Sequence, residues 1–193
     1  MIAIGASTGG PPVLQTILAG LPKDLSVPVT IVQHITHGFT AGFASWLAET
    51  TGFPVRIPDH GEFCMPGTVY VAPDDVHLAV DAGGRILLSD DPPDNLLRPS
   101  IMRLFRSTAQ AFREKAVGVL LTGMGRDGAE GLKMMRDAGA VTIAQDEDSS
   151  VVFGMNGEAV KLGAAQHILP PEGIVRMLTL LAAPKELQRQ AAR

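Results

Sequence analysis

The chain contains 193 residues, the size of one ordinary domain, and its 46% hydrophobic and 19% charged residues are typical of a folded globular protein. The formal net charge of −4 argues against a basic face that binds nucleic acid. The single cysteine, Cys64, excludes an internal disulfide framework and a paired-cysteine metal or redox site. No apolar run reaches the roughly 18–20 residues that span a bilayer, and no targeting segment is visible, so we expect a cytoplasmic domain.

Strands and helices alternate in the first part of the chain. A short β-rich run at residues 2–4 leads into a glycine-rich turn, and a helix with one apolar face is predicted from Pro11. A second strand is predicted at residues 29–32. The helix that follows is predicted to bury a face formed by Phe39, Phe43, Trp46 and Leu47.

Residues 53–89 lack the alternation of strands and helices predicted for the first part of the chain. Short β-rich runs are separated by turn residues, and the turn at residues 82–84 resembles that of a hairpin. The segment therefore predicts an antiparallel insertion or sheet edge, with strands at residues 54–57, 68–71, 76–80 and 85–88.

The alternation of helices and strands resumes near residue 99. The predicted elements are a helix at 99–112, a strand at 116–121, a helix at 129–138, a strand at 140–144, a short helix near 156–162, a strand at 166–169 and a helix at 171–181. Since the chain has no repeat and no linker, this pattern predicts an α/β fold with a single doubly wound, mostly parallel sheet flanked by helices. We expect one domain over residues 1–183 and a frayed tail over residues 184–193.

Residue types that can carry chemistry follow three of the predicted strands. Ser7 lies in a G-x-S-x-G turn after the first strand, His34 ends the second, and Asp127 lies in the glycine-rich loop after residues 116–121. Ligands of open parallel sheets bind at the carboxyl ends of the strands, so these side chains are candidates for one site. A serine nucleophile needs a base that takes its proton, and the base needs a carboxylate that orients it. The pattern indicates a Ser–His–Asp triad, in a chain order that differs from that of the α/β-hydrolases.

Each of these residues also has an ordinary structural interpretation. Ser7 can cap the first helix or contact a bound phosphate, His34 can be a hydrogen-bonded core residue, and Asp127 can be the N-cap of the helix that begins at Ala129. Only their joint position favours the triad. The other histidines show no metal-ligand spacing, so we expect neither a metal nor an organic cofactor.

The glycine-rich turn at residues 5–10 also fits a dinucleotide-binding loop, because it lies between a strand and a helix. A dinucleotide site usually has an acidic residue at the end of the second strand, where it binds the ribose. This chain has Gln33 and His34 there, which argues against dinucleotide binding without eliminating it.

A family resemblance rests on motifs spread along almost the whole chain. They are IGASTGGP (residues 4–11), VQHI (32–35), HGFT (37–40), PGTVYVAPDDVHL (66–78), RPS (98–100), VGVLLTGMGRDGAEGL (117–132), AQD (144–146) and VVFGM (151–155). In this order they resemble the catalytic domain of the bacterial chemotaxis protein-glutamate methylesterases, the CheB type.

The resemblance implies that Ser7 is the nucleophile, His34 the general base and Asp127 the orienting carboxylate. It also implies hydrolysis of γ-glutamyl methyl esters on the cytoplasmic helices of chemoreceptors, with release of methanol, and a possible deamidation of receptor glutamines. We expect no contact with nucleic acid and no insertion into the membrane. Many members carry an N-terminal receiver domain that controls access to the active site. Residues 1–193 contain none, so a stand-alone esterase and the effector domain of a longer protein are both open.

Further site residues follow from the same comparison with the family. The backbone N–H groups of Thr8 and Met124 are predicted to stabilise the oxyanion, the first because it follows the nucleophile and the second because it lies in the glycine-rich loop. Arg98 and Ser100 are predicted to line the substrate cleft.

The chain departs from the family pattern at three places. Leu97 and Met102 stand where members commonly have His and Asp near the cleft, Thr36-His37 replace a pair of prolines, and Asn156 replaces another proline. The change at Asn156 is expected to be mild, whereas the loss of two prolines is expected to loosen the loop after His34. Leu97 and Met102 leave two alternatives open: a non-catalytic domain that binds receptors, and an esterase redirected to another acyl substrate.

Overall fold

The structure is a computed structural model that describes residues 1–182, so the predicted tail at residues 184–193 lies outside the described residues. Its strands are β1 (Ile2–Ala6), β2 (Val29–Gln33), β3 (Val55–Arg56), β4 (Val69–Val71), β5 (His77–Val80), β6 (Ile86–Ser89), β7 (Val117–Leu120), β8 (Val141–Gln145) and β9 (His167–Leu169). Its helices are α1 (Gly10–Gly20), α2 (Thr40–Thr51), α3 (Ile101–Phe112), α4 (Ala129–Asp137), α5 (Met155–Lys161) and α6 (Pro171–Ala182). None of the helices within residues 1–182 is long and apolar enough to cross a bilayer.

Seven of the strands form one parallel sheet in the order β3-β4-β2-β1-β7-β8-β9. From β1 the chain first builds towards β3 and then returns to build from β7 towards β9, so the strand order reverses between β1 and β7. In open α/β sheets this reversal opens a crevice at the carboxyl ends of the strands. The prediction of a doubly wound, mostly parallel sheet is confirmed.

Residues 53–89 contain both an antiparallel insertion and one edge of the main sheet, the two alternatives predicted for this segment. Strands β5 and β6 form an antiparallel hairpin in a separate two-stranded sheet. Strands β3 and β4 instead join the parallel sheet, with Val69 paired to both Val55 and Val29. All three residues of β4 are buried, as is usual for a strand of a parallel sheet covered on both faces, and its short run alone could not reveal this.

Successive residues of β1 point to opposite faces of the sheet, and each face packs against a different set of helices. Ile2 and Ile4 belong to the core that includes α1, α2 and α6. Ala3 belongs to the core that includes α3, α4, α5 and the β5–β6 hairpin. Phe39 was predicted to lie on the buried face of the second helix, but α2 begins only at Thr40. Phe39 is therefore the residue before the helix, and it is 63% exposed.

Two glycines let the first residue of α3 approach the sheet closely. A Cβ atom on Gly5 in β1 would lie 2.3 Å from Cγ2 of Ile101, and a Cβ on Gly128 would lie 2.5 Å from the same atom. Real Cβ atoms do not approach other heavy atoms this closely, so the buried Ile101 side chain occupies space that only glycine leaves free. The N-terminus of α3 is thereby held against the carboxyl ends of β1 and the loop after β7.

A methyl group at residue 5 tests this close packing. We expect Gly5→Ala to lower the free energy of unfolding by about 1–3 kcal/mol, since the new Cβ overpacks against Ile101. Ile101→Ala alone should cost about 2–5 kcal/mol because it leaves a cavity. In urea unfolding, the double variant should lose less than the sum of the two single losses. Strict additivity would show that the two sites do not compete for the same space.

Candidate active site

Ser7 lies in the turn that joins β1 to α1. The N-cap residue of α1 is Gly9, which has a φ of 80° and makes no side-chain cap, so Ser7 is not the cap of this helix. A Cβ on Gly9 would lie 2.6 Å from Cβ of Val151, so both the backbone conformation and the space require glycine. Among residues 1–182 the Ser7 hydroxyl has no hydrogen-bond partner, which leaves it free to react.

His34 follows β2 directly beside Ser7. Ala6 pairs with Gln33 across the two parallel strands, and the N–H of His34 continues the pairing by donating to the Ala6 carbonyl at 2.9 Å. Neighbouring strands are about 4.8 Å apart, so Ser7 and His34 leave the sheet side by side. The side-chain amide of Gln33 donates to the carbonyls of both Ser7 and His34, at 2.9 Å and 2.8 Å. It therefore fixes the two residues relative to each other.

Asp127 faces His34 from the loop after β7. Nε2 of His34 lies 3.0 Å from Oδ2 of Asp127, and both side chains are largely buried. The two atoms are close, but the ring N–H at Nε2 does not point towards this oxygen well enough to form a hydrogen bond. Such hydrogen bonds are often poorly aligned in active sites without bound substrate. Because Nε2 faces the carboxylate, Nδ1 is the nitrogen available to a serine hydroxyl.

The carboxylate of Asp127 is anchored at the N-terminus of α3. Oδ2 accepts a hydrogen bond from the N–H of Ile101 at 2.8 Å, and Oδ1 accepts one from the N–H of Met102 at 3.0 Å. These groups have no partner within the helix, and the positive end of the helix dipole stabilises an anion there. The ordinary interpretation of Asp127 as the N-cap of α4 is therefore wrong, since Gly128 occupies that position without a side-chain cap.

The two residues predicted to line the substrate cleft, Arg98 and Ser100, both make hydrogen bonds within the protein. Ser100 is fully buried as the N-cap of α3, where its hydroxyl accepts from the N–H of Arg103 and lies 3.3 Å from Oδ1 of Asp127. Its hydroxyl therefore lies directly beside the carboxylate. The Nη1 group of Arg98 donates to the carbonyls of Asp90 and Asp91, at 2.8 Å and 3.2 Å, and so holds its own loop together.

The glycine-rich loop after β7 runs alongside Ser7. A Cβ on Gly123 would lie 2.6 Å from Cβ of Ser7, so this backbone touches the proposed nucleophile. Within residues 1–182 neither the Thr8 N–H nor the Met124 N–H donates a hydrogen bond, and Met124 is 77% exposed. Both amides are thus available to a ligand bound at Ser7.

Residues 151–155 brace this loop from the other side. The N–H of Gly123 donates to the carbonyl of Val152 at 3.1 Å, and the N–H of Met155 donates to the carbonyl of Gly123 at 2.9 Å. A Cβ on Gly154 would lie 2.5 Å from that same carbonyl oxygen, so residue 154 must be glycine for the two segments to meet. Thr122 completes the brace, with its hydroxyl 3.0 Å from the Thr8 carbonyl oxygen.

The loop after His34 is held by polar contacts rather than by prolines. Asp74, between β4 and β5, accepts hydrogen bonds from the N–H of Gly38 and the hydroxyl of Thr40. On the surface, Nδ1 of His37 lies 2.8 Å from a carboxylate oxygen of Asp75. The expected loosening is therefore opposed by contacts from the adjacent loop.

The other two departures from the family pattern affect side chains around the site. Met102 lines a cavity of about 380 Å³ beside Asp127, together with Asn95, Arg126 and Leu162. Its backbone N–H still reaches the carboxylate, so the change alters the cavity wall and not the anchor. Asn156 is the second residue of α5 rather than its cap, and its side-chain amide donates to the carbonyl of Gln145 at 2.9 Å.

Cys64 takes no part in this site. Burial raises the pKa of its thiol to about 11, so the thiolate is scarce at neutral pH. Within residues 1–182 no group of three or more His, Cys, Asp or Glu side chains is arranged to hold a metal ion.

Sequence reasoning missed the residues that support the site. The sequence presents Gln33 only as a non-acidic strand end and His77 only as one of the histidines without metal-ligand spacing. In the structure, Nδ1 of His77 accepts the N–H of Ser100 at 3.2 Å. The position of Gln33 directly before His34 in the chain is a weak sequence signal that Gln33 supports the site. Nothing in the spacing of His77 could have placed it beside α3, because that contact depends on the packing of the hairpin.

Comparisons with known proteins identify the relatives of this chain. A family model described as CheB methylesterase matches residues 2–178. A protein-glutamate methylesterase/protein-glutamine glutaminase of Geobacter metallireducens is 59% identical over 185 residues, which is 95% of this chain and 53% of that protein. One of the same name from Syntrophus aciditrophicus is 53% identical over 182 residues, which is 94% of this chain and 52% of that protein. The chain thus spans about half the length of the curated relatives it matches.

The fold comparison leads to the same group of proteins. The crystal structure of the Thermotoga maritima CheB methylesterase catalytic domain is similar with a TM-score of 0.90 and 37% sequence identity, and the match covers 93% of this chain and 97% of that one. Family model, relatives and fold agree over nearly all of the described residues. The chain therefore belongs to the CheB methylesterase family.

Proposed function

We propose that the chain is a serine esterase that hydrolyses γ-glutamyl methyl esters on the cytoplasmic helices of chemoreceptors. The observation that carries this proposal is the buried pair of His34 and Asp127, 3.0 Å apart, at the sheet edge where the unpartnered hydroxyl of Ser7 emerges. A serine beside a base whose carboxylate partner is itself fixed is the arrangement that covalent acyl transfer requires. The names of the relatives supply the glutamyl ester as substrate.

In the first half of the proposed reaction, Oγ of Ser7 attacks the ester carbonyl while His34 takes the hydroxyl proton. The N–H groups of Thr8 and Met124 stabilise the negative charge on the tetrahedral oxygen. Collapse of this intermediate breaks the bond to the methoxy group, which receives the proton from His34 and leaves as methanol. Asp127 holds the ring and stabilises its cationic form throughout.

In the second half, His34 takes a proton from water as the water attacks the acyl-enzyme. Collapse then returns the proton to Oγ of Ser7 and releases the free glutamate side chain. A glutamine side chain enters the same route with ammonia as the leaving group. The glutaminase activity in the names of the relatives supports this deamidation as a second reaction of the same site.

The proposal also includes the bounds of the catalytic domain, its cellular compartment and its regulatory partner. We take residues 1–183 as the catalytic domain, which acts in the cytoplasm where the receptor helices are. Since the relatives are about twice as long as the matched region, we include a receiver domain in a full-length protein as the regulatory partner.

Replacement of the nucleophile gives the most direct test. We expect Ser7→Ala to abolish methanol release from a methyl-labelled chemoreceptor cytoplasmic fragment, because it removes the attacking oxygen. Thermal unfolding should be almost unchanged, since the hydroxyl has no partner among residues 1–182. Ser45→Ala, at an exposed serine of α2 whose hydroxyl also has no partner among residues 1–182, is the matched control and should keep the parent rate. Methanol release by folded Ser7→Ala at the parent rate contradicts the proposal.

Asp127→Asn should affect both activity and stability. The amide cannot orient His34 as a carboxylate does, so the rate should fall by up to ~10⁴. The amide NH₂ must also face either the N–H of Ile101 or that of Met102, which are both donors. We therefore expect a loss of about 1–3 kcal/mol in the free energy of unfolding, measured in urea. Unchanged stability would show that the carboxylate does not cap α3.

The oxyanion role of the loop after β7 can be tested by removing one amide hydrogen. Met124→Pro deletes the N–H, and we expect kcat to fall by about 10²–10³. Met124→Ala keeps the N–H while removing the exposed side chain, so it should retain the parent kcat. Circular dichroism verifies that both variants fold. Equal kcat values for the two variants would assign the oxyanion contact to other donors.

A further inference from the structure

We propose that His77 is a positioning residue for this reaction, because it accepts the hydrogen bond that sets the N-terminus of α3 against Asp127. The inference rests on the proposed function and adds a residue that neither contacts Ser7 nor belongs to the loops around it. It links the β5–β6 hairpin to the proposed active site.

His77 is buried, with 1% of its surface exposed, and is bonded at both ring nitrogens. Nδ1 accepts the N–H of Ser100 at 3.2 Å. Nε2 lies 3.2 Å from the carbonyl oxygen of Pro92, which can only accept, so Nε2 carries the proton. The two contacts together assign one neutral tautomer to the ring.

Ser100 connects this ring to the carboxylate of Asp127. Three successive backbone N–H groups at the start of α3 have different acceptors: that of Ser100 donates to His77, and those of Ile101 and Met102 donate to Asp127. The hydroxyl of Ser100 also lies 3.3 Å from Oδ1 of Asp127. Because Ser100 is the N-cap residue directly before these two donors, a shift of its amide moves the start of α3 and with it both donors of Asp127.

Loss of the His77 acceptor leaves the Ser100 N–H buried without a partner. A buried amide without an acceptor is costly, and the carboxylate of Asp127 already binds the next two amides. The turn must then adjust around Asp127, and the carboxylate moves relative to Nε2 of His34. A displacement of about 1 Å in such a group can cost 10² in rate.

A second hydrogen bond between β5 and α3 provides a matched control. The N–H of Val80 donates to the hydroxyl of Ser107 at 3.1 Å, two turns from Asp127. Ser107→Ala therefore leaves a backbone N–H without its side-chain acceptor, as His77→Leu does, but away from the carboxylate. If His77 only joined the hairpin to the helix, the two variants would behave alike.

The kinetic test compares His77→Leu, His77→Asn and Ser107→Ala in methanol release from the methyl-labelled receptor fragment. We expect kcat to fall about 10²-fold in His77→Leu with KM unchanged, since substrate contacts are intact. His77→Asn places an acceptor oxygen near the position of Nδ1 and should recover at least tenfold of that loss. Ser107→Ala should keep the parent kcat at a temperature where all variants are folded. Equal kcat values for His77→Leu and Ser107→Ala overturn the inference.

A stability measurement decides the same question without relying on activity. In a double-mutant cycle in urea, His77→Leu and Asp127→Ala should be non-additive, because both act on the first turn of α3. Ser107→Ala and Asp127→Ala should be additive. Failure of the parent to release methanol would refute the proposed function alone, whereas additivity in the His77 cycle would refute the positioning role alone.

Discussion

The site depends on one interaction, the contact between the Asp127 carboxylate and the first free N–H groups of α3. A carboxylate that orients a histidine must not rotate away. The amides of Ile101 and Met102 hold it in place, because they bond one oxygen each. In return, the carboxylate satisfies donors that the helix itself cannot. The carboxylate that faces His34 therefore also binds the first two N–H groups of the helix, next to its N-cap residue Ser100.

This contact requires α3 to lie very close to the sheet, and two glycines make that possible. Ile101 fills the space left by the absent side chains of Gly5 and Gly128, so the helix begins directly beside the strand ends. The reversal of strand order between β1 and β7 opens the crevice at the same place. Ser7 and the glycine-rich loop lie on its two sides. Packing in the core thus decides where the polar groups of the crevice meet.

The departures from the family pattern affect the surroundings of this contact and leave the contact itself intact. Met102 changes the wall of the cavity beside Asp127, but it donates through its backbone, which does not depend on the side chain. Asp74 binds the loop after His34 where members of the family commonly have prolines. Polar contacts from neighbouring loops can therefore replace local stiffness, provided that the fold brings those loops together. The hydrogen bond between His77 of β5 and Ser100 likewise joins two segments that only the fold brings together.

The sequence alone determined the α/β fold, the order of its main elements and the candidates Ser7, His34 and Asp127, because these follow from local periodicity, turn composition and the ends of strands. Only the tertiary structure decided that β3 and β4 extend the parallel sheet, since a short apolar run is compatible with more than one partner. It also showed that Ser100 is the buried N-cap of α3 and lies beside Asp127. Contacts such as that of His77 with α3 join residues far apart in the chain. Their positions depend on packing, which spacing along one sequence does not encode.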